Sequence, residues 1–233
     1  MQAKVRLFTA VAALVFCFTM LGGSLRAQQV LWYSGDFDFV DGLINGYNFS
    51  GIVADARVYC DFQVPTGETW TVTQVYCNSL CNLTTVNSLD YEVRQGMSAG
   101  NFGTLLHSGT INATWSYVSA GAYSYSEYRV DGTLTTSFVL SPGTYWINVR
   151  PRSTSATGPC YICTTSGTNG VGALNNSNSL MYAVGYNTAP EAWGYDFVCG
   201  MRGNKGPQLT VGGITTGTTR QNVYANDTGT GGN

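Results

Sequence analysis

Two kinds of side chain in this chain of 233 residues are spaced as chemistry would need them: carboxylates and aromatic rings. Cleaving a glycosidic bond requires only two carboxyl groups flanking it, one to give a proton and one to act as base or nucleophile. Glu92, Glu127 and Glu191, with Asp90, are the candidate members of such a pair. Asp90 and Glu92 alternate with Leu89, Tyr91 and Val93, the pattern of solvent-facing groups on a half-buried strand. A Ser-His-Asp or Cys-His nucleophilic site would have to recruit His107, the single histidine. Its adjacency to Ser108 does not make the two partners, and a surface histidine is the simpler reading. One histidine also excludes the three-histidine zinc and two-histidine iron arrangements.

The aromatics support binding rather than catalysis. Trp115-Ser116-Tyr117, Tyr123-Ser124-Tyr125 and Trp193-Gly194-Tyr195 carry rings at alternate positions, so two rings can stand on one face of a sheet. Such platforms stack on sugar rings while hydroxyls and amides complete the hydrogen bonds. The competing reading is a sandwich core, which is built from the same residue types. Trp115, Tyr117, Trp193 and Tyr195 are the ligand candidates, and Trp146 joins them if it is open to solvent.

Asp36, Asp38 and Asp41, with Asn45 nearby, concentrate oxygen atoms in a glycine-bounded loop, as a structural calcium ion would require. Their spacing does not match an EF-hand loop. Aspartate also favours turns on its own account, by accepting from nearby backbone amides.

These groups are set on a chain whose targeting and composition are distinctive. Lys4 and Arg6 precede an apolar run from Leu7 to Leu21, and Gly22-Gly23-Ser24-Leu25-Arg26-Ala27 offers small residues for cleavage after Ala27. The reading is a signal peptide over 1–27, an exported mature chain starting near Gln28, and no second run long enough to span a membrane. The mature chain keeps eight basic and thirteen acidic residues, so neither nucleic acid nor an anionic membrane is a suitable partner. Six cysteines then remain: Cys60, Cys77, Cys81, Cys160, Cys163 and Cys199. In an exported chain they read as disulfides. Cys77–Cys81 and Cys160–Cys163 would close local loops, and Cys60–Cys199 would join early and late strands. A four-thiolate zinc knuckle is the rival.

Only 10% of the residues are charged, against about 25% in an ordinary globular domain. Glycine, tyrosine, threonine, serine and asparagine take their place and suit strands and tight turns. Ser141-Pro142-Gly143 is a turn signal. After it, Tyr145, Ile147 and Val149 alternate with Thr144, Trp146, Asn148 and Arg150. Similar units recur at Val30–Tyr33, Ala56–Val64, Trp70–Tyr76, Leu89–Gln95, Thr104–Ser108, Tyr123–Val130, Thr135–Leu140, Leu180–Val184 and Tyr195–Met201. About ten short antiparallel strands predict an all-β, two-sheet sandwich of jelly-roll type over 28–202. The segment 203–233 reads as a polar Gly/Thr/Asn-rich end, with one edge strand at Leu209-Thr210-Val211 before a flexible tail.

Gly35-Asp36-Phe37-Asp38, Ala54-Asp55-Ala56-Arg57-Val58-Tyr59, Val64-Pro65-Thr66-Gly67-Glu68-Thr69-Trp70-Thr71-Val72, Gly103-Thr104-Leu105 and Ser141-Pro142-Gly143-Thr144-Tyr145-Trp146 stand in succession here. Together they resemble a group of exported bacterial β-sandwich proteins, many of which carry a PEP-CTERM sorting signal. The resemblance spans about Val30 to Arg202 and implies a fold and an extracellular setting, with no catalytic residues. This chain has no Pro-Glu-Pro motif, no closing apolar helix and no basic end. The expectation is a secreted, non-enzymatic surface or extracellular-matrix protein that binds polysaccharide or other cell-surface components through aromatic side chains. The alternative is a carbohydrate-active enzyme using a carboxylate pair.

Overall fold

The computed structural model describes residues 28–49, 53–81, 86–153 and 160–207. Every regular element among them is a β-strand, and every strand pairing is antiparallel. In chain order these are β1 (Gln29–Tyr33), β2 (Phe37–Ile44), β3 (Tyr47–Phe49), β4 (Val53–Val64), β5 (Glu68–Cys81), β6 (Val86–Gln95) and β7 (Thr104–Ala122). Then follow β8 (Tyr125–Leu140), β9 (Gly143–Ser153), β10 (Cys160–Thr165), β11 (Leu180–Ala183), β12 (Glu191–Ala192), β13 (Asp196–Phe197) and β14 (Cys199–Pro207). The all-β antiparallel expectation holds. The strand β14 carries the ordered domain past Arg202 to Pro207, whereas 1–27 and the edge strand and tail expected from Leu209 onward lie outside the described residues.

The ladder runs β1-β14-β5-β8-β7-β6-β9-β4-β11-β12. Its middle is β7, which pairs with β6 over 104–112 and with β8 over 113–122. The strands on either side of it turn their apolar faces to one core. Phe62 of β4 packs on Trp70 of β5 (centroids 6.2 Å apart) and Trp32 of β1 (5.3 Å), and Tyr91 of β6 stacks on Phe138 of β8 (5.9 Å). Trp32, Phe62 and Trp70 are all but inaccessible; burial of each contributes roughly 1.5–3 kcal/mol. A bulge between Val72 and Gln74 shifts the inward face of β5, so that Trp70 and Val72 are followed by Val75 and Cys77.

The expected alternation of β9 is present, with Tyr145, Ile147 and Val149 in the core, but its other face is covered too. Asn148 and Arg150 are buried, and Trp146 packs on Tyr59, Met97 and Leu180. Beyond the Cys60–Ile147 pairing the ladder between β4 and β9 stops. There Asn45, fully buried, takes its place: its amide donates to the Val149 carbonyl (2.8 Å) and accepts from the Val58 N–H (3.1 Å) and from Asn148 (2.8 Å). Asn148 in turn donates to the Val58 carbonyl (2.8 Å). On the outside of β5, the Tyr76 ring lies against Gly200, where a Cβ would sit 2.1 Å from it. The Arg129 and Arg202 guanidinium groups are 3.9 Å and 4.8 Å from the centre of the same ring, a cation–π arrangement.

The cysteine pairing departs from the expected one. Cys81 of β5 lies opposite Cys160 of β10, and these two form the disulfide. Cys77 and Cys81 share one extended strand, which at about 3.3 Å per residue puts them about 13 Å apart, beyond the reach of a disulfide. Cys160 and Cys163 fail for the same reason, three residues apart on β10. Cys60 and Cys199 do meet, sulfur to sulfur at 3.2 Å, linking early and late strands as expected although as thiols. Cys77 and Cys163 are buried thiols; burial pushes Cys77 up to about 12 and Cys163 higher still, so neither is a thiolate near neutral pH.

Non-reducing peptide mapping is expected to recover a Cys81–Cys160 fragment; one closed between Cys77 and Cys81 would contradict this structure. With a sequence separation of 79, Cys81→Ser is expected to cost about 4 kcal/mol in denaturant unfolding. Asn45→Ala strands buried partners on two strands and is expected to cost about 2–4 kcal/mol, read by the same titration.

Candidate functional site

The three candidate glutamates are held in three different settings. Glu92 of β6 accepts from Arg57 (2.6 Å), Arg94 (2.8 Å) and the Tyr59 hydroxyl (2.8 Å). Asp90, two residues earlier, accepts from Arg150, Arg152 and Thr110, and Asp55 pairs with both Arg57 and Arg150. The face of β6 expected to meet solvent is therefore a covered ion-pair network. Glu127 of β8 is 2% exposed and accepts from Asn78 (2.6 Å) and Ser119 (2.7 Å). Glu191 is exposed on β12, opposite Met181. Each buried carboxylate already has its donors.

His107 is half-buried rather than exposed. It stacks on Phe138 (4.4 Å, 13° between planes), and burial lowers its pKa below the ordinary value. The shallow groove around it is lined by Tyr91, Leu106, Ser108, Thr136, Ser137 and Phe138. No carboxylate lines that groove to orient the imidazole as a triad requires.

The three aspartates of the expected calcium loop turn to separate partners. Asp36 accepts from the Tyr33 hydroxyl (2.7 Å) and Asn169 (2.6 Å), Asp38 from Thr164 (2.6 Å) and the Val40 N–H (3.0 Å), and Asp41 from the Gly42 N–H (2.7 Å). Asn45 is spent on the core. Among the described residues no three His, Cys, Asp or Glu side chains gather so as to hold a metal ion. Sequence reasoning passed over a different acidic pair, Asp61 and Asp196. Burial raises the Asp196 carboxyl above the usual range; the Ser177 N–H opposes this and the Asp61 charge adds to it. Asparagines 176 and 178 donate to Asp61, and the void alongside, about 10 Å³, has room for one water molecule.

The aromatic candidates separate clearly. Trp146 is covered and scaffold. Trp193 is half-buried against the main core, and its backbone N–H donates to the Ser179 carbonyl (2.9 Å). Tyr195, 43% exposed, leans edge-on to buried Phe197 (6.5 Å). Trp115 and Tyr117 are open, at 39% and 60%. Both stand edge-on to Tyr128 of β8, at 4.9 Å and 6.0 Å, making three contiguous rings on the β7–β8 ribbon.

The other face of this ribbon carries a second aromatic group. Tyr123 and Ser124, read from sequence as the start of a strand, form instead the two-residue hairpin turn, both left-handed at φ 54° and 65°. That is the twist a type I′ turn supplies, ordinarily with Asn-Gly. The turn sets Tyr123 beside Tyr125, and Tyr125 beside Tyr161 of β10 (5.4 Å, 72°). With Leu80, Asp41 and Gly42 these rings line a concavity of about 340 Å³. Tyr161 escaped sequence reasoning because it lies between Cys160 and Cys163, where a small loop was expected in place of a strand. No protein-family model and no curated protein matches this chain.

Proposed function

We propose that this chain is an exported, non-enzymatic surface or matrix protein that contacts polysaccharide through Trp115 and Tyr117. The observation that carries the reading is the run of three contiguous rings, Trp115, Tyr117 and Tyr128, on a ribbon where the two outer rings are open to solvent. A ring held edge-on by a neighbour keeps its faces in place, and an ordered apolar face is what stacks on a sugar ring. The resemblance to exported bacterial β-sandwich proteins and the signal-peptide pattern of 1–27 support the extracellular setting. Among the described residues no helix is long and apolar enough to cross a membrane.

Affinity electrophoresis in gels containing soluble polysaccharides tests this directly. Trp115→Ala and Tyr117→Ala are each expected to weaken retardation about tenfold, equivalent to about 1.4 kcal/mol, whereas Trp146→Phe leaves it unchanged. Retardation by no polysaccharide, or retardation indifferent to the double variant, would sink the proposal.

A further inference from the structure

The concavity on the opposite face of the ribbon offers a different chemistry. Its lining is three tyrosines, one leucine, one glycine and one carboxylate, Asp41, with no lysine or arginine. The tyrosine hydroxyls are already committed: Tyr123 donates to the Val40 carbonyl (2.8 Å), and Tyr161 and Tyr125 are hydrogen-bonded to each other. What remains for a ligand is ring surface and negative charge. A neutral sugar needs paired donors and acceptors, whereas an organic cation needs aromatic faces and a carboxylate.

The local backbone is also set unusually. Tyr123 at φ 54° and Phe39 at φ 61°, both bulky and both mostly exposed, hold left-handed conformations on the two segments that the Tyr123–Val40 hydrogen bond ties together. Such conformations are uncommon for large side chains and persist where surroundings fix them, often at ligand clamps. Here the turn holds the third ring over the pocket.

We infer that the Tyr123–Tyr125–Tyr161 concavity binds an ammonium head group, with the rings surrounding the cation and Asp41 supplying the countercharge. Its volume, about 340 Å³, is at the lower end of small-ligand sites and admits a compact cation rather than a long chain.

Isothermal titration of the full mature chain with choline tests this, alongside 3,3-dimethylbutan-1-ol, which has the same shape without the charge. Choline is expected to bind saturably and about tenfold more tightly than the neutral alcohol. Asp41→Asn is expected to weaken it about fivefold, and Tyr123→Asn about tenfold. Asparagine tolerates the left-handed turn, so the second variant is expected to keep the wild-type melting temperature and near-ultraviolet dichroism while losing the ring. Glucosamine, titrated in parallel, separates an amino-sugar source of the ammonium group from a methylated one, and saturable binding of either supports the site. Equal affinity for the neutral alcohol, binding unmoved by Tyr123→Asn, or no saturable binding of choline or glucosamine would overturn it. Polysaccharide retardation through Trp115 is expected to survive Tyr123→Asn, so the two aromatic sites are read separately.

Discussion

The fold hangs on one strand having to serve two ladders. β7 is 19 residues long, about 60 Å if fully extended, and its first half is hydrogen-bonded to β6 while its second is bonded to β8. Because that pairing is continuous, the β6 and β8 sides of the molecule can share a core only by closing on each other about β7. Tyr91 on Phe138 and Phe62 on Trp70 are the contacts that result. The cost falls on β7 itself: most of its residues are exposed, in the half that pairs with β6 as in the half that pairs with β8. The exposed rings of Trp115 and Tyr117 are a consequence of that geometry.

The carboxylates of β4 and β6 act as cement between strands. Few charges are present, and on the outer face of β4, β6 and β9 they are used against each other: Arg57, Arg94, Arg150 and Arg152 with Asp55, Asp90 and Glu92. Removing one member of such a covered network leaves the others uncompensated. A general acid needs a raised pKa and a free path to substrate. Glu92, gripped by two guanidinium groups and a tyrosine hydroxyl, has no such free path.

Much of this was legible from residue types. Period-2 alternation located the inward faces of β4, β6 and β9 correctly, because Val58, Cys60, Phe62, Leu89, Val93, Ile147 and Val149 report only whether a face is apolar. It could not report that the polar faces of the same strands would be covered as well, since Asn148 and Arg150 look like surface residues until Asn45, Asp55 and Asp90 arrive from distant segments. Cysteine spacing misled for a related reason: closeness in sequence means separation in an extended strand, and Cys81 found Cys160 through the ladder. The hairpin at Tyr123-Ser124 lacked the glycine or asparagine that marks such turns, so two short strands with other boundaries were expected where one ribbon turns back on itself.

Trp115 and Trp146 show what decides whether an aromatic becomes scaffold or surface. Both sit in strands next to polar residues, and both alternate with residues of the opposite face. Trp146 lies midway along β9, between β6 and β4, with Tyr59, Met97 and Leu180 brought over it. Trp115, on β7, is 39% exposed and packs edge-on to Tyr128 of β8. Tyr128 itself packs against the core while Tyr125, three residues away, joins the separate cluster of Phe37, Leu80, Cys163 and Val198. One ribbon therefore presents aromatic rings to two environments, an open shelf on one face and an acidic hollow on the other. The two faces differ in charge and curvature, and the two proposals rest on different physics, stacking area on the shelf and cation attraction in the hollow.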